Sequence, residues 1–278
     1  MFLSRPIAIT FDSSSPLVSA EISDWAIASS RLRGFRMLSL FTIMRRKPAF
    51  VGLARGEVTL TFDDGPNMED NVTPRLLDVL HQHRVKAGFC LVGNQIRRHP
   101  EIVRRMFQSG HLLINHTQNH VHPIRQKYPE MLADVEACDR EIGRVLHIGG
   151  YRSQFFRAPY GIVTRAVRKV TRTLNLTPVL LTHYAWDTRV GPHNFQSVVD
   201  RTLQNALQHQ GGMYVLHDGS LTTLQQHDTD WQRSTENRSW VPDAVDTLIR
   251  ELKAHSLRFV VPGESQQETP AAQQRAAS

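Results

Sequence analysis

Two carboxylates stand side by side at Asp63-Asp64, and two imidazoles stand four positions apart at His116 and His120. Adjacent carboxylates at the end of an apolar run repel each other, and they persist where a cation or a basic side chain offsets them. Imidazoles at i and i+4 share a side when one helical turn separates them. With one carboxylate they form a facial ligand set that leaves positions open for water and substrate. Zn²⁺ is the default metal for those donors, and other divalent ions fit. Asp64 is available to complete the set. Only one carboxylate of the pair is needed as ligand, so the other is placed to act as general base. An ion pair with Arg157 would keep that base ionised, and His217 would protonate a leaving group as general acid. Each residue also has a plainer reading: a solvated Asp pair at a Gly-Pro turn, polar loop histidines, a surface arginine, a satisfied strand-end histidine.

The elements that must position these groups follow from the apolar pattern. Val58–Phe62 reads as a buried strand that breaks at Gly65-Pro66-Asn67. Further strands are predicted at Ala87–Val92, His111–Asn115, a short run ending Phe155-Phe156-Arg157, Pro178–Thr182, Gly212–Leu216 and Arg258–Val261. Helical spacing lies between them, with Thr73 as N-cap and Pro74 at the first turn of one helix, and Pro100 opening and Gly110 closing another. About seven alternations of apolar strand and amphipathic helix imply a parallel sheet covered by helices, α/β in class, and favour a barrel-like (β/α) fold over an open sheet. Ligands then bind at the C-terminal strand ends. Asp63-Asp64, His116 to His120, Arg157 to Tyr160, Trp186-Asp187 and His217-Asp218 all fall just past a predicted strand, and that convergence outweighs any one motif.

The bulk properties are those of an ordinary globular chain: 278 residues, 40% hydrophobic, 21% charged, Lys+Arg 33 against Asp+Glu 26 for a net charge of +7. A positive surface could meet nucleic acid, anionic lipid or an anionic wall polymer. No zinc knuckle, RNA-binding sheet signature or long basic block is present, so no nucleic-acid partner is expected. Two cysteines, Cys90 and Cys138, cannot make a disulfide framework and read as small hydrophobes. No apolar run is long enough to span a bilayer, and Met37–Met44 with its flanking arginines is a poor signal-peptide pattern, which tips the reading toward the cytoplasm. Residues 1–55 read as a basic, poorly ordered extension, with contact between that segment and a membrane as the sharper alternative. Residues 56–262 read as one domain, and the Gln/Ala/Ser-rich residues 263–278 as a disordered tail.

These motifs resemble the polysaccharide deacetylase superfamily, carbohydrate esterase family four, which includes chitin-oligosaccharide and nodulation-factor deacetylases. Thr61–Gly65 with Pro66-Asn67 matches its Thr-Phe-Asp-Asp-Gly-Pro-Asn pattern; His116, Thr117 and His120 match His-Ser/Thr-x-x-His. Arg157, Pro159 and Tyr160 match Arg-x-Pro-Tyr, and Val215 to Asp218 match Leu-x-His-Asp with Val215 in place of Leu. The resemblance implies a distorted (β/α) barrel of seven strands, akin to a TIM barrel, and metal-dependent hydrolysis of N-acetyl groups on an amino sugar, of the chitin-oligosaccharide or peptidoglycan type. It implies Asp63 as base, Asp64, His116 and His120 as zinc or other divalent-metal ligands, His217 as acid, and Arg157 orienting Asp63. The backbone N–H of Tyr160 would help hold an oxyanion, and Val215 with Leu216 would line an acetyl-methyl pocket. The family's Asp-x-x-Asp-Trp is only begun here: Asp187 fills the first position, and Val190 and Gly191 occupy the later ones. Asp187, and less so Asp228 or Asp230, is a candidate for the carboxylate that tunes the acid; Trp186, Trp231 or Trp240 could wall the groove. Two other readings stand beside this one: a hydrolase of a non-sugar amide, and a catalytically weak barrel that binds glycans.

Overall fold

The computed structural model describes residues 53–219 and 234–264. Most of the expected N-terminal extension, nearly all of the tail, and Asp228, Asp230 and Trp231 lie outside the described residues.

Strand β1 (Glu57–Asp63) is buried along its whole length and is the most heavily paired strand. Parallel ladders join it to β2 (Gly88–Leu91), β7 (Gly212–His217) and β8 (Arg258–Phe259). Beyond β2 lie β3 (Leu112–Asn115), β4 (Phe155–Phe156) and β5 (Thr177–Pro178); beyond β7 lies β6 (His183–Tyr184). The order β5-β4-β3-β2-β1-β7-β6, with β8 against β1, is parallel throughout. It is the curled sheet of a distorted (β/α) barrel, as expected from the alternation. One strand was misjudged. Of the predicted Pro178–Thr182 only Pro178 lies in a strand, β5 on β4, and β6 on β7 begins just after Thr182, so the described residues hold eight strands. Pro178 has no N–H to continue a ladder, and only Thr177 and Pro178 pair on that side.

The covering helices are α1 (Val72–Gln82), α2 (Gly93–Arg98), α3 (Pro100–Gln108), α4 (Tyr128–Leu146), α5 (Arg165–Thr173), α6 (Gln196–His209) and α7 (Val241–Ala254). Helix α2 is too short to show a periodic face, so the pattern passed over it. The expected cap of α1 is also different: Asn71, in the left-handed region, precedes the helix, while Thr73 lies inside it. The Thr73 hydroxyl is engaged instead with Asp218 and with the N–H of Asn67.

Side chains alternate across the sheet, and this alternation sorts core from chemistry. Val58, Leu60 and Phe62 of β1, Phe89 and Leu91 of β2, and Tyr214 and Leu216 of β7 join the large cluster beneath the helices. Cys90, Ile114, Phe155, Met213 and Val260 fill the inside of the curl as a smaller cluster. Thr59, Thr61 and Asp63 share that inner side, and the polar end of the series opens at the C-terminal rim. Cys90 and Cys138 are both buried and unbridged. Among the described residues no helix is long and apolar enough to cross a membrane.

Candidate metal and acid–base site

Asp63 closes β1, where its register partner on β7 is His217 and on β2 is Cys90. Parallel register fixes which side chains share a face, so Asp63 and His217 are presented together at the rim. Asp63 Oδ1 accepts from Arg157 at 2.6 Å, and Arg157 also donates to Thr61 Oγ1 at 2.8 Å and to the Val179 carbonyl at 3.2 Å. Those bonds hold a buried guanidinium in one orientation, and the acceptor on β1 is two residues before the carboxylate it orients. Burial, the largest influence, pushes the Asp63 carboxyl upward, but the charges of Arg157, His116 and His217 together outweigh it and the pKa ends below the usual value. Asp63 Oδ2 is left facing the imidazoles, 3.9 Å from His116 Nε2.

Asp64 follows with φ of 71°, in the left-handed region, and this turns its carboxylate away from that of Asp63. Its Oδ1 lies 3.4 Å from His116 Nε2 and 3.2 Å from His120 Nε2. The two histidines do not share a helical turn, contrary to the i,i+4 expectation. They sit on a loop in which Thr117 (φ 69°) and His120 (φ 52°) are both left-handed. Local hydrogen bonds impose that path: Thr117 N–H donates to Asn115 Oδ1, and His120 N–H to Thr117 Oγ1. Asn115 is held in turn by donating to Asp139 Oδ1 and the Val135 carbonyl of α4. Strained backbone over-determined by buried bonds is a mark of functional sites.

The donor set fits a divalent cation. His116 Nδ1 is 2.7 Å from the Arg157 carbonyl, which can only accept, so that nitrogen carries the hydrogen and Nε2 presents a lone pair in the neutral ring. Burial lowers the His120 pKa to about 4, against the pull of Asp64, so the His120 ring is neutral near pH 7. Asp64 Oδ1 is buried, and among the described residues its nearest polar neighbours are the two Nε2 atoms. One ligand atom from each of Asp64, His116 and His120 thus lies within 4.8 Å of the others. Bonds of about 2.0–2.2 Å in a tetrahedral array would separate such atoms by roughly 3.4 Å, close to the two distances to Asp64.

On the other side, His217 Nδ1 lies 3.1 Å from both oxygens of Asp187, and the His217 N–H donates to Asp187 Oδ2 at 2.6 Å. Asp187 is fully buried, and Arg238 donates to its carbonyl at 3.0 Å. The incomplete motif therefore still delivers a carboxylate to the histidine, through the one residue that matches. Burial disfavours the charged ring of His217, yet the charge and hydrogen bond of Asp187, helped by Asp64 and Asp63, raise its pKa to about 9. With Nδ1 committed to Asp187, Nε2 is the nitrogen free to give a proton.

The remaining candidates divide. Val215 lies on the inner side with Thr61 and His217, whereas Leu216 pairs with Phe62 and is buried in the outer core, where it cannot line a pocket beside His217. Tyr160 (φ 58°) is 58% exposed, with its ring 4.8 Å from those of both His120 and His122. Trp186 is half-buried, edge-on to Tyr184 at 5.1 Å with Arg189 over its face, and Tyr184 is edge-on to His217. Trp240 is a packing residue, buried and stacked on Phe195. Thr61, Thr73, Asn115 and Tyr184 were not among the predicted site residues; the alternation Thr-Leu-Thr-Phe-Asp was the one signal that pointed to Thr61.

Known proteins are similar to this chain. The polysaccharide deacetylase family model matches residues 52–179, which hold the carboxylate pair, both loop histidines, Arg157 and Tyr160. A peptidoglycan-N-acetylglucosamine deacetylase from Bacillus cereus is 31% identical over 206 residues, 74% of this chain and 66% of the relative, so the chain spans about two thirds of its length. A chitooligosaccharide deacetylase from Bradyrhizobium sp. is 37% identical over 164 residues, 58% of this chain and 70% of the relative. A crystal structure of a peptidoglycan N-acetylglucosamine deacetylase bound to a naphthyl N-hydroxybenzamide superposes with a TM-score of 0.61 at 30% identity, over 74% of this chain and 86% of the other. Fold, rim residues and relatives agree: the chain belongs to the polysaccharide deacetylase family.

Proposed function

We propose that the chain hydrolyses N-acetyl groups of an amino-sugar polymer or oligosaccharide, of the chitin-oligosaccharide or peptidoglycan type, and releases acetate. The observation that carries this reading is the facing of a carboxylate held by Arg157 and an imidazole held by Asp187 across one β1–β7 register pair, beside the clustered donor atoms of Asp64, His116 and His120.

Asp64, His116 and His120 would hold the metal, with Zn²⁺ suited to the set and other divalent ions also accommodated. Such a cation supplies Lewis acidity, polarising the acetyl carbonyl and lowering the pKa of water. Asp63, kept ionised by Arg157, takes the proton of the attacking water through Oδ2. The Tyr160 backbone N–H is assigned to the developing oxyanion, and Val215 to the wall around the acetyl methyl. As the carbon–nitrogen bond breaks, His217 Nε2 delivers its proton to the departing amine. Asp187 fixes that tautomer and stabilises the charged ring before transfer.

The relatives named for peptidoglycan and chitooligosaccharides support an N-acetylated glycan as substrate. A catalytically weak, merely binding barrel was favoured by the incomplete fifth-strand motif, and the Asp187–His217 contact removes that support. Acetate release from chitin oligosaccharides, peptidoglycan and small amides, with and without chelator, tests the proposal. Release from the glycans that chelator abolishes is the expected result, and absence of metal-dependent release from every substrate would refute it.

A further inference from the structure

Asp218 has no part in the chemistry described above, yet it is fully buried directly after the end of β7. Its Oδ2 accepts from the Thr73 hydroxyl at 2.5 Å, and Thr73 Oγ1 accepts from the Asn67 N–H at 2.8 Å. Asn67 Nδ2 returns to the Asp218 carbonyl at 3.0 Å, which closes a loop of bonds between the end of β7, helix α1 and the turn after β1. The following residue ties the same parts: Gly219 N–H donates to the Asp63 carbonyl at 3.3 Å. Packing is as tight as the bonding. A Cβ on Gly65 would lie 2.6 Å from both Asp218 carboxylate oxygens, and one on Gly219 would lie 2.2 Å from the Asp64 carbonyl oxygen. Neither contact leaves room for a side chain. Asp218 Oδ1 finds no hydrogen-bond partner among the described residues, so the fold bears a desolvation cost to keep a carboxylate there.

We propose that Asp218 is a positioning residue: it clamps the Asp63–Asn67 turn to the strand carrying His217, and so sets where the Asp64 ligand and the Asp63 base stand. The assignment rests on the metal-centre reading above. Asp64 is left-handed and precedes the glycine that touches Asp218, so its carboxylate direction depends on how firmly that turn is held. The same clamp fixes the turn against the residue after His217, and hence the spacing of base and acid.

Zn²⁺ titration of the metal-free protein by calorimetry, with no substrate present, tests this. Asp218→Ala and Thr73→Val should each weaken zinc binding by about tenfold or more, the range seen when outer partners of metal ligands are removed. Asp218→Asn, which keeps the shape and an oxygen for Thr73, should stay close to the parent. The double variant Thr73→Val/Asp218→Ala should be no weaker than Asp218→Ala alone, because both remove one unit. In acetate release, kcat should fall further than KM rises. Parental zinc affinity in a folded Asp218→Ala protein would overturn the clamp. If that variant fails to fold, parental affinity in Thr73→Val would do the same. A parent chain that takes up no zinc would overturn the metal-centre reading, and this assignment with it.

Discussion

Asp63 and Asp64 are neighbours in sequence with different surroundings because the backbone between them turns left-handed: one meets Arg157, the other meets two lone-pair nitrogens. Their substitutions should therefore separate. Asp63→Asn should keep stoichiometric metal and lose about 10²–10⁴-fold in kcat, the usual contribution of a positioned base. His116→Ala should lose the metal along with activity, because a facial set cannot spare a ligand; metal analysis beside kinetics distinguishes the two. The pH profile follows from the same contacts. The base must be ionised and its pKa is lowered, so the acid limb should lie below the ordinary carboxylate range. The acid must be protonated and its pKa is raised to about 9, so activity should fall as pH rises through that value. Asp187→Asn removes the largest of the charges that together outweigh burial, and the alkaline limb should move to lower pH with a large loss of kcat; an unmoved limb would refute the pairing. The linkage sign is that of a raised imidazole: its stabilisation is complete below about 6.5 and is lost as pH rises through about 9. At this scale residue types and spacing were enough to single out the side chains that the fold brings together: Asp64 with His116 and His120, Asp63 with Arg157, and His217 with Asp187. They did not reveal the left-handed loop at Thr117 and His120, which depends on Asn115 and α4, distant in sequence.

The strands matter as rulers. Because β1 and β7 are in parallel register, alternate residues of each present chemistry inward while the others enter the core. Leu216→Ala should therefore cost about 2–5 kcal/mol of stability, as for other buried leucines, and leave zinc affinity unchanged. Val215→Ala, one residue away, should act chiefly on kcat/KM through the acetyl-methyl wall. Thermal melts with zinc titration and kinetics would expose a misassigned face. Strand positions were legible from apolar runs bounded by turns: β1, β2, β3, β7 and the short β4 fall where the pattern places them. The fifth strand was not, because Pro178–Thr182 looks continuous in hydrophobicity while proline cannot continue the ladder. Thr73 was misread for a related reason. A threonine before a proline has the look of a cap, and only the tertiary fold shows that its hydroxyl is engaged by Asp218.

For the whole molecule, alternation of strands and helices was enough to specify a parallel sheet, and the rule that ligands meet the C-terminal strand ends placed every cluster correctly. Among the described residues the rim clusters come from the ends of five of the eight strands, β1, β3, β4, β6 and β7, so no short segment carries the site. Metal and catalysis should therefore rise and fall together. The most direct measurement is to strip the protein with chelator, add Zn²⁺ back stepwise, and follow acetate release from an N-acetylated chitin oligosaccharide alongside bound metal. Release that is absent in the stripped protein and returns in proportion to metal bound, reaching its plateau at one ion per chain, is the result expected. Release that persists without metal, or its absence from the fully loaded protein with this glycan and with peptidoglycan, would contradict a metal-dependent deacetylase.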